Sequence, residues 1–273
     1  MSKSKFSWGN LYLIFTFLLM YAPIVFLIVY SFSTGDSMTN YHGFTFKHYQ
    51  ELLADKRMIA IFLNTILIAL LSSVFATIIG AAGAIGISNQ KRQKNKEILL
   101  SFNNILIVSP DVIMGASFLI FFTALKLPLG FWSVLLSHIA FEIPIVVLML
   151  LPHLNELSDS LLTAAKDLGS SSYQTFSKIV LPFIQPGLIA GFFMAITYSL
   201  DDFAVTFFVT GNGFSTLSVE IYSRARQGIS LEINALAGIM FIFSLILVII
   251  YYFIENNHSQ SNKKVKARLR GKL

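Results

Sequence analysis

Residues 183–209 read FIQPGLIAGFFMAITYSLDDFAVTFFV. A helix crosses the hydrocarbon of a bilayer with about 20 mostly apolar residues, and this run is long enough to do so. It also holds two adjacent acids, Asp201 and Asp202, toward one end. It reads as a membrane span with charge inside it. Five more stretches reach the same length: Trp8–Phe32, Met58–Ser88, Ile98–Ala124, Phe131–Leu151 and Ile233–Ile254. Some are long enough to tilt or to include interfacial turns. The expected fold is all-α and polytopic, with six transmembrane helices in one domain over residues 1–273.

Composition agrees. Only 12 % of the residues are charged and 55 % are apolar, whereas a soluble domain carries about 25 % charge. The first apolar run is too long for a signal-peptide core and no A-x-A-like site follows it, so it is expected to stay as a span. With no cysteine, disulfides and thiolate metal sites are excluded. A net charge of +6 is compatible with nucleic-acid binding, but the basic residues sit at the ends of the apolar runs, so topology is the simpler reading.

Placing the N-terminus inside puts fourteen basic residues in inside segments: Lys3, Lys5, Lys91, Arg92, Lys94, Lys96, Lys166, Lys178, Lys263, Lys264, Lys266, Arg268, Arg270 and Lys272. Six then lie outside: Lys47, Lys56, Arg57, Lys126, Arg224 and Arg226. That bias places both termini in the cytoplasm. Residues 33–57 become an external loop, whose His42 and His48 are too few for a metal site. The polar, basic tail from about 257 to 273 is expected to be disordered and to lie beside anionic lipid.

Four acids fall within the expected spans: Asp111, Glu142, Asp201 and Asp202. No Lys or Arg lies well inside any span. A carboxylate at the bilayer centre costs roughly 2.5–3.5 kcal/mol on insertion scales. The acids therefore need a proton, a wet cavity or a cation from elsewhere. An all-acidic set favours a cationic solute over an anion, which would call for Arg, Lys or helix N-termini. Pro110 and Pro144 stand beside Asp111 and Glu142 and free backbone carbonyls that can face a cavity. Ser199 and Asp202 share a helix face, while Asp201 points about 100° away on an unbroken helix. A structural role stays open for each acid. For Glu142 it is a hydrogen bond to His138, one turn earlier.

Other features have plain readings. Trp8 and Trp132 mark interfaces. Tyr198 and Tyr222 are candidates to line a path by cation–π contact. Gly80, Gly83 and Gly86 lie among alanines and suit close helix packing in lipid. No G-x-x-x-x-G-K-[ST] occurs, so if ATP drives the protein another subunit binds it. No H-E-x-x-H, G-x-S-x-G or spaced His/Cys cluster occurs, and the chain is not expected to be an enzyme.

Between the fourth and fifth runs, over about 153–182, lies a loop with its own pattern. Leu161, Leu162, Ala165 and Leu168 recur at helical spacing. Ser158 and Asp159 are N-cap candidates and Gly169 is a C-terminal stop. Ser171 and Gln174 form a capping box that starts a second helix, and Pro182 and Pro186 allow it to bend. The amphipathic face suits either a partner or the protein's own membrane ends.

The spacing Ala164-Ala165-x-x-x-Gly169, nine residues, Ile179-x-Leu181-Pro182 resembles the signature loop of the membrane permeases of binding-protein-dependent ABC importers. Glu is usual in that family where this chain has Thr163. Ser199-Leu200-Asp201-Asp202-Phe203, Phe208-Val209-Thr210-Gly211, Glu232-Ile233-Asn234-Ala235-Leu236-Ala237 and Pro110-Asp111 resemble the second permease subunit of spermidine/putrescine importers. The resemblance covers nearly the whole chain and implies a type I ABC-importer fold in a bacterial cell membrane. It implies that Thr163, Ala164, Ala165, Asp167, Leu168, Gly169, Leu181 and Pro182 dock an ATPase. It further implies an ATPase dimer holding ATP and Mg, a second permease subunit, an external solute-binding protein and a polyamine solute. The chain itself needs no cofactor and binds no nucleic acid on this reading. The alternatives are a permease for another cationic or small solute, or a cation channel or transporter not driven by ATP. The latter predicts inverted repeats or a pore loop, and the sequence shows neither.

Overall fold

The computed structural model describes residues 8–35, 38, 40–228 and 230–270, with side chains as far as 256 in the last helix. Lys3, Lys5 and Lys272, counted in the charge balance, lie outside the described residues. The named elements of the described residues are all helical: α1 (Trp8–Tyr30), α2 (Lys47–Ala54), α3 (Lys56–Ser88), α4 (Gln93–Val108), α5 (Asp111–Ala124), α6 (Phe131–Glu156), α7 (Asp159–Asp167), α8 (Ser172–Thr175), a π-helical turn (Phe176–Val180), α9 (Leu181–Asp201), α10 (Ala204–Val209), α11 (Leu217–Gln227) and α12 (Leu231–Arg270).

Among the described residues, five helical segments are long and apolar enough to cross a membrane: Trp8–Tyr30, Lys56–Ser88, Phe131–Glu156, Ser172–Asp201 and Leu231–Asn256. The expected third span is not one straight helix. It is the pair α4 and α5, bent by 102° at Ser109 and Pro110. Proline has no N–H and pushes the residue before it out of the helical region, and Ser109 is extended at ψ 135°. The fifth run is also broken. α9 stops at Asp201, Asp202 is extended at ψ 119°, and α10 starts two residues later. The last helix runs to Arg270, past the point where disorder was expected. Residues 257–270 hold neither Gly nor Pro, and their three Lys and two Arg sustain helix.

Packing divides the chain into two units. The first, residues 1–60 with 220–245, is tied by polar contacts at its loop. The Ser31 and Tyr49 hydroxyls lie 2.7 Å apart, and His48 Nε2 is 3.1 Å from Ser33 O. Phe32 stacks on Phe44 and Tyr49. Glu220 is buried and holds two arginines, Arg57 at 2.9 Å and Arg224 at 2.8 Å. Arg224 also reaches Glu232 at 3.2 Å.

The second unit, residues 61–219 with 246–273, holds two apolar cores. One joins Ala76 and Ala84 of α3, Val146 and Leu150 of α6, and Ile184 and Ala195 of α9. The other joins Ile68 of α3, Met114 of α5, Val134 and Phe141 of α6, and Val205 of α10. Of the small-residue run, Gly80 packs closely, since a Cβ there would lie 2.8 Å from Val146, whereas one on Gly83 would make ordinary contact at 3.7 Å and one on Gly86 would meet nothing within 4 Å. α3 and α6 both run through the two cores.

Candidate functional site

Both helix breaks open onto one cavity of about 210 Å³, lined by Asp111, Phe141, Tyr198, Asp201 and Asp202 among others. α5 begins at Asp111 because Pro110 ends the helical run before it, and the free amides of that first turn favour an acid there. Asp201 is the last residue of α9. Both carboxylates are exposed. No Lys, Arg or His lines the cavity. Phe141 and Tyr198 form one wall, edge to face at 5.4 Å. Two carboxylates and two aromatic faces can replace water around an ammonium group through charge-assisted hydrogen bonds and cation–π contact.

Asp202 also lines the cavity but does a different job. Its side chain is 7 % exposed. Oδ1 accepts from Val205 N at 3.2 Å, and Oδ2 accepts from Thr206 N at 2.8 Å and from Thr206 Oγ1 at 2.6 Å. Ser218 Oγ donates to its carbonyl at 2.6 Å. It thus takes the orphan amides of α10 and makes the break itself. Because α9 is broken there, the 100° divergence expected of an unbroken helix does not apply, and Asp201 and Asp202 reach the same cavity.

Glu142 and Ser199 lie behind this cavity, not in its wall. Glu142 is fully buried on α6, and its Oε1 accepts from Ser72 Oγ at 2.7 Å. The expected His138–Glu142 hydrogen bond is not made: the separation is 3.8 Å, beyond hydrogen-bond reach. His138 turns instead to Ser199 Oγ at 2.7 Å and Thr206 Oγ1 at 2.8 Å. Thr206 and Ser72 were not foreseen in this role. Thr206 stands four residues after Asp202, a spacing that signals a cap; Ser72 carried no local signal.

The loop between α6 and α9 forms as its pattern predicts. Gly169 has φ +79°. Its N–H donates to Lys166 O at 2.8 Å, and Ser170 N donates to Ala165 O at 3.1 Å, closing α7 with a Schellman motif. The capping box is complete: Gln174 N donates to Ser171 Oγ at 3.2 Å and Ser171 N to Gln174 Oε1 at 3.0 Å. Ser158 occupies the N-cap position of α7 without a side-chain cap bond. Ala165 is buried and pins the turn, while Thr163, Ala164, Asp167, Leu168 and Gly169 are exposed, as are Leu181 and Pro182 further on. Leu168 is 88 % exposed, an apolar side chain offered outward.

Residues 76–261 match the family described as "Binding-protein-dependent transport system inner membrane component". The chain is 37 % identical over 243 residues to the spermidine/putrescine transport system permease protein PotC of Escherichia coli (strain K12), covering 89 % of this chain and 92 % of that one. The PotC of Haemophilus influenzae is 34 % identical, covering 93 % and 100 %. The putrescine transport system permease protein PotI of Escherichia coli (strain K12) is 31 % identical, covering 97 % and 96 %. Among solved structures, a chain of a bacterial ABC transporter involved in alginate import superposes with a TM-score of 0.70 at 17 % identity, covering 92 % and 94 %. A chain of the MetNI methionine ABC transporter gives 0.63 at 16 %, covering 75 % and 99 %.

Proposed function

The chain belongs to the family of binding-protein-dependent transport system inner membrane components, and on that premise we propose that it forms part of the membrane path of an ATP-driven polyamine importer. The observation that carries the proposal is the cavity that sets Asp111 and Asp201 beside Phe141 and Tyr198 with no basic side chain opposite. A polyamine is a flexible chain of ammonium groups, and each exposed carboxylate replaces part of the water that one ammonium loses. The relatives PotC and PotI, named for spermidine and putrescine transport, support the same solute class.

We infer the rest of the assembly, and membership of the family supports it. A separate ATPase pair binds ATP and Mg. The turn from Thr163 to Gly169, with Leu181 and Pro182, docks on that pair. A second permease subunit completes the path, and an external binding protein delivers the solute. One solved relative is described in complex with a ligand-bound periplasmic protein. Both termini lie in the cytoplasm, and the chain acts as one permease domain. Closure of the ATPase pair on ATP moves the docked turn and opens the spans outward; hydrolysis resets them.

The test is uptake of labelled spermidine and putrescine into proteoliposomes holding the complete complex. ATP-dependent accumulation of at least one of them is expected. Uptake of neither, in a complex whose ATPase still turns over, overturns the polyamine assignment.

A further inference from the structure

His138 is 1 % exposed and stands directly behind the acidic cavity. Thr206 Oγ1 gives its proton to Asp202 Oδ2, so it meets His138 Nε2 as an acceptor, and Nε2 carries the proton. Nδ1 lies 2.7 Å from Ser199 Oγ. Ser199 precedes the break and Thr206 follows it, so one imidazole holds both sides. Its ring also lies 4.9 Å from Phe141, which braces Tyr198 in the cavity wall. A core histidine that merely satisfies its own nitrogens has no need of partners on two helices that part at this point.

We propose that His138 is a positioning residue of the solute path: through Thr206 and Asp202 it fixes the break between α9 and α10 and so aims Asp201 into the cavity. This rests on the reading of that cavity as part of the path. Buried hydrogen bonds to charged groups are worth about 1.5–3 kcal/mol, and about 1.4 kcal/mol is a factor of ten.

The test uses the complete reconstituted complex, with labelled spermidine uptake, complex yield and ATP hydrolysis measured on the same preparations. Thr206→Val keeps the volume and the backbone amide that Asp202 accepts from, and removes the hydroxyl link. It is expected to cut uptake about ten-fold at normal yield. Thr206→Ser restores the hydroxyl and is expected to stay within about three-fold of the parent, near the few tenths to one kcal/mol of a minor packing change. In an Asp201→Asn background the same Thr206→Val change is expected to cost less than about three-fold more, because changes coupled through one backbone break are non-additive. His138→Gln, which keeps a donor near the Nε2 position, is expected to fall less than His138→Ala.

Normal uptake by Thr206→Val alongside crippled uptake by Asp201→Asn overturns this proposal and leaves the cavity reading standing. So does a full ten-fold loss from Thr206→Val on top of Asp201→Asn, or a yield that drops equally in the Val and Ser variants. Normal uptake by Asp201→Asn alone overturns the cavity reading and this proposal with it.

Discussion

At the near end of α9 the chain turns through Gly169 and restarts on the Ser171–Gln174 capping box; at its far end it breaks after Asp201 and restarts on Asp202. Both are helix interruptions in which a side chain takes the free amides of the next helix. The near turn is built from neighbours: every cap bond spans five residues or fewer. The far break leans on His138, 68 residues before Thr206, and on Ser218, 16 residues after Asp202. The near turn is exposed and presents Leu168 outward, while the far one lines a cavity. On the proposed function, a surface that meets another protein can be encoded locally, because the partner supplies the rest, whereas a site that holds a small solute has to be assembled by the fold.

The sharpest way to break that comparison is at the cavity. Asp111→Asn combined with Asp201→Asn keeps the shape of both side chains and removes both charges. At about 1.5–3 kcal/mol for each charge-assisted contact, spermidine uptake is expected to fall about a hundred-fold, since 1.4 kcal/mol is ten-fold. Assembly with the ATPase is expected to survive, because neither residue belongs to the docking turn. Uptake within two-fold of the parent, with the complex intact, means the acids are structural and the solute passes elsewhere.

The two regions were also unequally legible. The near turn could be read almost bond by bond, since a Schellman glycine and a capping box are fixed by residues within one turn. The acids could be named, because any ionisable group in an apolar run stands out. Their division of labour could not. Whether Asp202 caps a helix or faces the solute depends on a break that a long apolar run does not announce. The proline at 110 was visible, but the 102° angle between α4 and α5 was not. Ser72 looked like an ordinary span residue until α3 and α6 brought it to Glu142, and the spacing of Thr206 from Asp202 gave no sign of its bond to His138.

A smaller effect is expected at the near end. Gly169 sits at φ +79° with nothing within 4 Å of where a Cβ would go. Substitution there meets no collision, so the cost lies in the backbone, roughly 1–2 kcal/mol for a left-handed residue with a side chain. Gly169→Val is expected to weaken capture of the ATPase, and with it uptake, by about ten-fold. Gly169→Asn tolerates the left-handed region and is expected to keep most of both. Co-purification of the ATPase with each variant reads this directly. Equal losses from Val and Asn would assign the effect to the surface and not to the turn.

The smallest effect is expected at Thr163, where the family usually has Glu. Thr163 Oγ1 donates to Asp159 O at 2.9 Å, one turn back, so the hydroxyl is spent on its own helix and not held ready for a partner. Back-bonding of this kind slightly disfavours helix, and Glu is the better helix former by a few tenths of a kcal/mol. A Glu here would meet Lys166 three residues on, a favourable pair, and Asp159 and Asp167 four residues either side, two unfavourable ones. Each such pair is worth about 0.2–0.5 kcal/mol, so within this chain the changes nearly cancel. Thr163→Glu is therefore expected to leave uptake and ATPase capture within about two-fold, which is about 0.4 kcal/mol. Any larger change has to come from across the interface. A gain that fades with added salt means the ATPase groove still holds a basic group waiting for the acid. A loss of the complex means that the groove has changed along with Thr163, and that even the locally written region depends on its partner at this one position.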